Sequence, residues 1–477
     1  MSRIPLVAGR RVVTGLLAVM YLAGTSACTL GPGTDPSISS VSTENSDGAE
    51  ASDATGTTAP ESGAASGSVV TSTDDQSLGV SADQAGAAVK QLLVQRADAL
   101  LSKDRASWIA TTDQTDSSAA AELAAYDSLV SLRVPDLSIG EPVDVRRLEE
   151  SATGSAAPGR WQATVEVSYQ LPGDRLPRRS TRTVTFVQRG ADWRIQRWLG
   201  PQDVWEAWDL VGVQTARTEH VLVIGNAPMD TLVDRVTEAE IGHAEVVEVL
   251  GQAPNAIVIV PATAQQAARL LGKQDAAEIS EVAATTSGTR PPGKPAGADR
   301  VVLNPEGWGQ LTGVGRQVVM THELVHVALR ATSAADAPMW LSEGLAEWVA
   351  YKDVEMSPKL VAASFLDDVR RNGPPEDLPA DTEFDTSTID LAVKYQASWL
   401  AVSRIARDHG PQQLLDFYGQ IAGSTVGSTG AVPTGSSGPT PADLDTRTER
   451  AFIDQLGESR AEFVQLWRAE LVALARS

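Results

Sequence analysis

Two stretches of the chain after residue 80 differ in the spacing of their hydrophobic positions. In residues 81–210 an apolar stripe at helical spacing comes first, and alternating apolar and polar residues follow, which is typical of strands with one buried face. The predicted elements are a helix at 85–100, strands at 161–169, 181–188 and 193–198, and a turn at 189–192. We therefore expect a helix packed on a curved antiparallel sheet.

Residues 216–477 show a different order of elements. Short apolar runs at 221–224, 256–260 and 301–303 predict strands, and helical patterns at 230–250 and 263–272 separate them. From residue 316 onward the pattern predicts helices at 316–330, 340–353, 358–371, 391–409, 411–421 and 460–475. Stretches rich in Gly, Ser, Thr and Pro predict mobile loops at 284–300 and 422–444. The chain is thus expected to be an α+β protein with two folded domains.

The first 27 residues are typical of an export signal. Three arginines come before an apolar stretch of 13 residues at 12–24, which is too short to span a bilayer. Residues 25–28 resemble a bacterial lipobox, and Cys28 is the only cysteine of the chain. A lone cysteine cannot form an internal disulfide. We expect Cys28 to carry a lipid that anchors the mature protein at the extracytoplasmic face of the cell membrane.

Composition bears on the segment after the export signal and on the partners of the chain. Residues 28–80 are predicted to be a disordered tether, because 29–80 hold no Lys, Arg or aromatic residue and cannot bury much apolar surface. Removing residues 1–27 takes away three arginines and no acid, which changes the net charge from −22 to −25 at pH 7. Such an acidic chain repels phosphate backbones, so we expect no nucleic-acid partner.

His322, Glu323 and His326 form a His-Glu-x-x-His motif in a stretch predicted to be helical. Residues four apart share one face of a helix, so both imidazoles can reach one metal ion. Glu323 then points about 100° around the helix, toward a water on that ion. A catalytic zinc usually has three protein ligands and an open fourth position. Two carboxylates downstream, Glu343 and Glu347, are four residues apart and are candidates for the third ligand.

The segment Trp-Leu-Ser-Glu-Gly at 340–344 closely resembles the Trp-Leu-x-Glu-Gly segment of gluzincin metallopeptidases of the M1-like, or peptidase MA, group. The resemblance covers roughly 216–477, with its strong motifs within 316–351. It implies that Glu343 binds Zn²⁺ and that Glu347 holds the first histidine from outside the metal, as such partners do in metal sites. The reverse assignment, with Glu347 as the ligand, stays open.

A weaker resemblance concerns Tyr395. It stands where the Tyr-x-x-Gly segment of M1 enzymes places a tyrosine that donates its hydroxyl to the oxyanion. The alternative is a core tyrosine beside Trp399 and Leu400. The Gly-x-Met-Glu-Asn motif with which those enzymes hold a free N-terminus is absent. This departure from the family pattern argues against an exopeptidase, so an endopeptidase is expected.

Residues 81–210 are similar to NTF2-like domains, without a diagnostic motif. His220, His243 and His409 lack metal spacing and are expected to be structural or surface residues. The function expected overall is a zinc peptidase that hydrolyses peptide bonds of a peptide or protein substrate. The alternative is a non-catalytic surface lipoprotein that binds a peptide or small ligand through the NTF2-like domain, with a structural or vestigial zinc site.

Overall fold

The structure, a computed structural model, describes residues 80–148, 159–291, 293–384, 391–426 and 441–477. The predicted export signal, the tether and the lipid-bearing Cys28 lie outside these residues, as does most of the loop predicted at 422–444. Both sheets and their helices belong to one compact unit, Ala82–Ser477. Among the described residues, helices are too short or too polar to cross a bilayer.

The N-terminal part of this unit is an antiparallel sheet covered by three helices. Its elements are α1 (Ala82–Leu101), α2 (Arg105–Thr111), α3 (Ala119–Ser131), β1 (Asp136–Ile139), β2 (Val143–Arg147), β3 (Arg160–Gln170), β4 (Arg178–Arg189) and β5 (Asp192–Arg197). The strand order is β1-β3-β4-β5, and β2 also pairs with β3. The predicted helix and three strands are confirmed. β1 and β2 are additional, and too short and too exposed for their pattern to show in the sequence.

The centre of this N-terminal part is filled by its own side chains. Arg96 is fully buried, and its Nη1 donates to Glu122 Oε2 at 2.6 Å. The guanidinium carbon lies 4.5 Å from the ring centroid of Trp108, and Trp198 packs edge-on against Trp108. A buried charge is tolerated when it is paired and hydrogen-bonded, as Arg96 is here. The pair therefore joins α1 to α3 inside an aromatic shell, and the backbone N–H of Trp198, directly after β5, donates to Glu122 Oε1 at 2.9 Å.

The C-terminal part contains a second sheet and most of the helices. Its strands are β6 (Gln214–Arg217), β7 (Val221–Gly225), β8 (Ala256–Val260), β9 (Ala284–Ser287) and β10 (Arg300–Leu303). Its helices are α4 (Met229–Leu250), α5 (Ala264–Leu270), α6 (Pro305–Gln310), α7 (Gly313–Thr332), α8 (Met339–Ala350), α9 (Pro358–Val361), α10 (Ala363–Asn372), α11 (Leu391–His409), α12 (Pro411–Ala422), α13 (Pro441–Ala451) and α14 (Arg460–Arg476). The α+β class is confirmed.

The structure of the C-terminal part corrects two expectations. The strands run β6-β7-β8-β10-β9, with β7, β8 and β10 parallel and the two outer strands antiparallel. The stretch 284–300 is not wholly a loop, because β9 pairs with β10 along its length. β10 is therefore an inner strand, and β9 forms that edge of the sheet. The predicted helix 358–371 is also interrupted, at Ala362, into α9 and α10.

The turn between β3 and β4 contacts the start of β10. Asp174 accepts two hydrogen bonds from Arg300, at 2.5 and 2.7 Å, and both side chains are 1% exposed. The backbone N–H groups of Arg175 and Leu176 donate to the carbonyl of Gly297 at 2.8 and 3.1 Å. The two parts of the unit thus share a buried polar interface, while a domain boundary at 210–216 stays a prediction.

Candidate metal centre

Helix α7 places two imidazoles on one face at the centre of the C-terminal part. It begins after Thr312, whose side chain accepts a hydrogen bond from the N–H of Gly315 and so caps the first turn. His322 and His326 follow one turn apart, with ring centroids 4.7 Å from each other. His322 is fully buried. The predicted i, i+4 pair therefore forms, in an interior position rather than on a solvated helix surface.

Glu343 on α8 brings a third ligand atom to the two imidazoles. Its Oε2 lies 3.1 Å from His326 Nε2 and 3.3 Å from His322 Nε2, and the two Nε2 atoms are 3.0 Å apart. Two ligands of a tetrahedral zinc ion, each at the usual bond length, stand about 3.3 Å apart. These three residues can hold a metal ion. The spacing of the donor atoms and their chemistry fit zinc.

Glu347 lies on the outer side of His322. Its Oε1 is 3.6 Å from His322 Nδ1, which is too long for a hydrogen bond. Nδ1 is buried and makes no hydrogen bond to the described residues. A buried donor without an acceptor is costly, and a small movement of either side chain would pair it with Glu347. Of the two candidate acids, Glu343 therefore faces the imidazole nitrogens that converge, and Glu347 faces the nitrogen that points away.

The electrostatics of the cluster shift the pKa values of the two acids in opposite directions. Burial acts to raise the pKa of Glu343, but the adjacent imidazoles, His326 above all, lower it to about 2. Burial raises the pKa of Glu347 to about 8, and the charge of Glu343 adds to this rise. Burial lowers the pKa of His322, which favours the neutral form that binds metals. The pKa of His326 is raised because the attraction of Glu343 outweighs burial.

Glu323 lies beside the ligand cluster without joining it. Its side chain is 1% exposed, and the Thr286 hydroxyl on β9 donates to its Oε2 at 2.7 Å. Burial raises the pKa of Glu323 to about 7, although His326 and the Thr286 hydroxyl act in the opposite direction. A carboxyl group with a pKa near neutrality is suited to accept and return a proton. Such a shift in a cluster of this kind marks a candidate functional group.

Tyr395 on α11 also lies close to the cluster. Its ring centroid is 6.1 Å from that of His322, and Phe384 packs edge-on against it at 5.8 Å. The residue is 2% exposed. Both expectations for Tyr395 keep a basis in this position, because a ring packed in the core here is also a neighbour of His322.

The other histidines lie away from the cluster. His220 and His243 stack face to face with ring centroids 4.8 Å apart, and Nε2 of His409 lies 3.5 Å from Oε1 of Glu458. Among the described residues, the group with metal-ligand geometry consists of His322, His326 and Glu343.

Two residues near the site have roles that the sequence analysis did not predict. Thr286 belongs to a stretch expected to be a loop, and the only local sign of a strand was the β-branched pair Thr285–Thr286 before a Gly- and Pro-rich segment. Gly344 follows the candidate ligand Glu343 and faces α11, where an added Cβ would lie 2.5 Å from the carbonyl oxygen of Ser398. Its lack of a side chain lets the two helices approach closely.

The chain matches no protein-family model, and a search of curated proteins found no match either.

Proposed function

We propose that the protein is a zinc-dependent peptidase, and an endopeptidase in particular. The observation that carries this proposal is the convergence of His322, His326 and Glu343, with the carboxylate of Glu323 next to them. A purely structural zinc site is closed by four protein ligands and has no need of a buried acid beside it. Three ligands and one adjacent acid are the arrangement of a hydrolytic site.

Each residue of the cluster has a defined task in this proposal. His322, His326 and Glu343 hold the ion, and Glu347 orients His322 from its outer side. When bound, zinc polarises the scissile carbonyl and lowers the pKa of water to about 7. The gluzincin-like assignment of the C-terminal domain rests on its sequence motifs, and the NTF2-like assignment of the N-terminal domain rests on its helices and antiparallel sheet.

The protons of the reaction pass through Glu323. It accepts one proton from the attacking water, whose oxygen forms a bond to the carbonyl carbon, and it delivers that proton to the nitrogen as the C–N bond breaks. One water is consumed, and a carboxyl and an amino terminus are produced. The Tyr395 hydroxyl donates a hydrogen bond to the carbonyl oxygen while negative charge develops there.

The same proposal includes a location and a set of partners. An export signal and a lipid on Cys28 would anchor the enzyme at the extracytoplasmic face of the cell membrane, where its substrates are peptides or proteins. A net charge of −22 for the whole chain disfavours nucleic acid as a partner.

The alternative, a non-catalytic lipoprotein that binds a ligand in its N-terminal part, is less well supported. In that part Arg96, Glu122, Trp108 and Trp198 occupy the centre of the body with contacts to one another. The non-catalytic alternative also gives Glu323 no task, although this acid is buried beside the proposed metal ligands.

The test is to purify residues 81–477, measure bound metal and follow cleavage of casein and of a broad peptide library. We expect about one zinc per chain and turnover that is lost in Glu323→Gln, with zinc retained. His326→Ala should lose both zinc and turnover, while His409→Ala, which removes a histidine outside the cluster, should lose neither. Stoichiometric zinc without turnover would support the non-catalytic alternative, and a protein that binds no metal would exclude both.

A further inference from the structure

The edge strand β9 contacts the proposed general base directly. Thr286 Oγ1 lies 2.7 Å from Glu323 Oε2 and 3.1 Å from the backbone oxygen of Glu323. The hydroxyl has one hydrogen, and the shorter contact is to the carboxylate, which is the stronger acceptor. A glutamate side chain has three rotatable torsions, so a hydrogen bond to one oxygen limits where the other oxygen can point.

The strand that carries Thr286 is held by the N-terminal part of the protein. Arg178 Nη1 on β4 lies 3.3 Å from the carbonyl oxygen of Ala298 and 3.5 Å from that of Ser287, the residue after Thr286. Ser287 pairs in register with Arg300 on β10. Arg300 in turn makes the buried, two-pronged ion pair with Asp174. The end of β9 and the start of β10 therefore both contact charged side chains of the N-terminal part.

The end of β9 also contacts α7, the helix that carries His322 and His326. Arg330 on α7 donates through Nη2 to the carbonyl of Gly288 at 2.9 Å, and through Nε to Asp299 Oδ2 at 2.8 Å. The end of β9 is thus held from two sides, by β4 and by α7. These contacts connect the end of β9 both to the N-terminal sheet and to the helix that carries Glu323.

We propose that Thr286 is a positioning residue for Glu323, and that the N-terminal sheet keeps Thr286 in place through Arg178 and the Asp174–Arg300 pair. The inference rests on the proposed function and gives the N-terminal part a task in it: to brace the strand that aims the general base. Thr286 acts through Glu323 and leaves the three metal ligands untouched.

The first test uses the full-length, zinc-loaded chain with Thr286→Val, which keeps the size and the branched shape but removes the hydroxyl. Misplacement of a catalytic group by about 1 Å can reduce the rate up to 100-fold. We expect kcat to fall about 10-fold or more, with KM and zinc content unchanged. Thr286→Ser restores the donor and should recover most of the rate. Equal rates for the valine and serine variants would show that the hydroxyl does not position Glu323.

The second test addresses the brace and has a readout besides turnover. Arg178→Lys keeps a positive charge near Glu206, to which Arg178 Nε donates at 3.0 Å, but a single ammonium cannot also reach the carbonyl oxygens of β9 and β10. Amide hydrogen exchange in residues 284–288 should become at least several-fold faster, and kcat should fall. The matched control is Arg182→Lys, which alters a buried arginine paired with Asp209 inside the N-terminal part.

The outcomes separate this inference from the proposed function. Wild-type turnover that requires Glu323, together with exchange and kcat unaffected by Arg178→Lys, would leave the peptidase proposal standing and overturn the brace. The same faster exchange and lower kcat in Arg182→Lys would also overturn the brace, because the effect would then be general destabilisation. A wild-type chain that binds zinc without Glu323-dependent turnover would reject the proposed function, and the inference with it.

Discussion

Two glutamates on one face of α8 approach different nitrogen atoms of the histidine pair. Glu343 Oε2 is 3.1 Å from His326 Nε2, whereas Glu347 Oε1 approaches His322 Nδ1 at 3.6 Å. Substitution should therefore affect metal binding unequally. We expect Glu343→Gln to lose stoichiometric zinc, and Glu347→Gln to weaken zinc affinity about 10- to 100-fold, as loss of an outer partner does. Competitive chelator titration measures both affinities. A larger loss in the Glu347 variant would assign the ligand to that residue instead.

Asp113 predicts a pH dependence of stability that lies away from the metal centre. Burial acts to raise its pKa, but hydrogen bonds from Arg189, Thr115 and Gln196 lower the pKa to about 2. Because this pKa is below that of the unfolded chain, near 3.9, the carboxylate stabilises the fold fully above about pH 4. That stabilisation is lost as the pH falls toward 2.

The measurement is the free energy of unfolding in denaturant between pH 2 and pH 5. The wild type should lose stability toward pH 2 more steeply than Asp113→Asn, which has no carboxyl group to protonate. Asp192→Asn, which removes an exposed acid of the same sheet, controls for the change in charge. Parallel curves for the wild type and the Asp113 variant would contradict the prediction.

At the scale of elements, the approach of α8 to α11 depends on one glycine. An added Cβ at Gly344 would lie 2.5 Å from the carbonyl oxygen of Ser398 and 2.6 Å from Val402 Cγ2, so the helices would have to separate. We expect Gly344→Ala to destabilise the protein by about 1–3 kcal/mol, the usual cost of overpacking, and to weaken zinc binding through Glu343. Gly309→Ala is the matched control, because open space surrounds that helical glycine.

Thermal unfolding and chelator titration of the two alanine variants test this prediction. The Gly309 variant should be as stable as the wild type or slightly more so, since alanine is the better helix former. Equal stability of both variants would mean that α8 and α11 are free to separate without cost.

Local periodicity in the sequence locates strands such as β3, but it does not locate β9 at the edge of the second sheet. The alternation in β3, where every second residue from Trp161 to Tyr169 is buried, is visible in the sequence because one face meets helices and the other does not. The four residues of β9 are too few to show a period, and the Gly- and Pro-rich segment behind them dominates the composition. Their pairing with β10 depends on tertiary contacts, which no local window contains.

The candidate site was predictable to a similar extent. The two histidines and Glu323 lie within five residues of one helix, so helical geometry alone brings them together. Glu343 required a family resemblance, because its distance from His326 depends on how α8 packs against α7. Thr286 contacts Glu323 across 37 positions of sequence, and the sequence offers no period or motif that links them.

At the scale of the whole molecule, the N-terminal and C-terminal sheets are joined through buried charge. Asp174 and Arg300 are each 1% exposed, and removal of one partner leaves the other buried without compensation. We expect Asp174→Asn to destabilise the whole protein by about 3–5 kcal/mol. Because the residues from Ala82 onward form one compact unit, both parts should unfold together at the lower temperature.

Tryptophan fluorescence and calorimetry can follow this transition, since both parts contain tryptophans, among them Trp108 and Trp467. Asp127→Asn breaks the exposed pair with Arg105 and is the control, with an expected change below about 1 kcal/mol. Two separate transitions, of which Asp174→Asn shifts only one, would show that the parts fold independently. The interface would then be a docking contact between autonomous domains, and the β9 strand could keep its position without the N-terminal sheet.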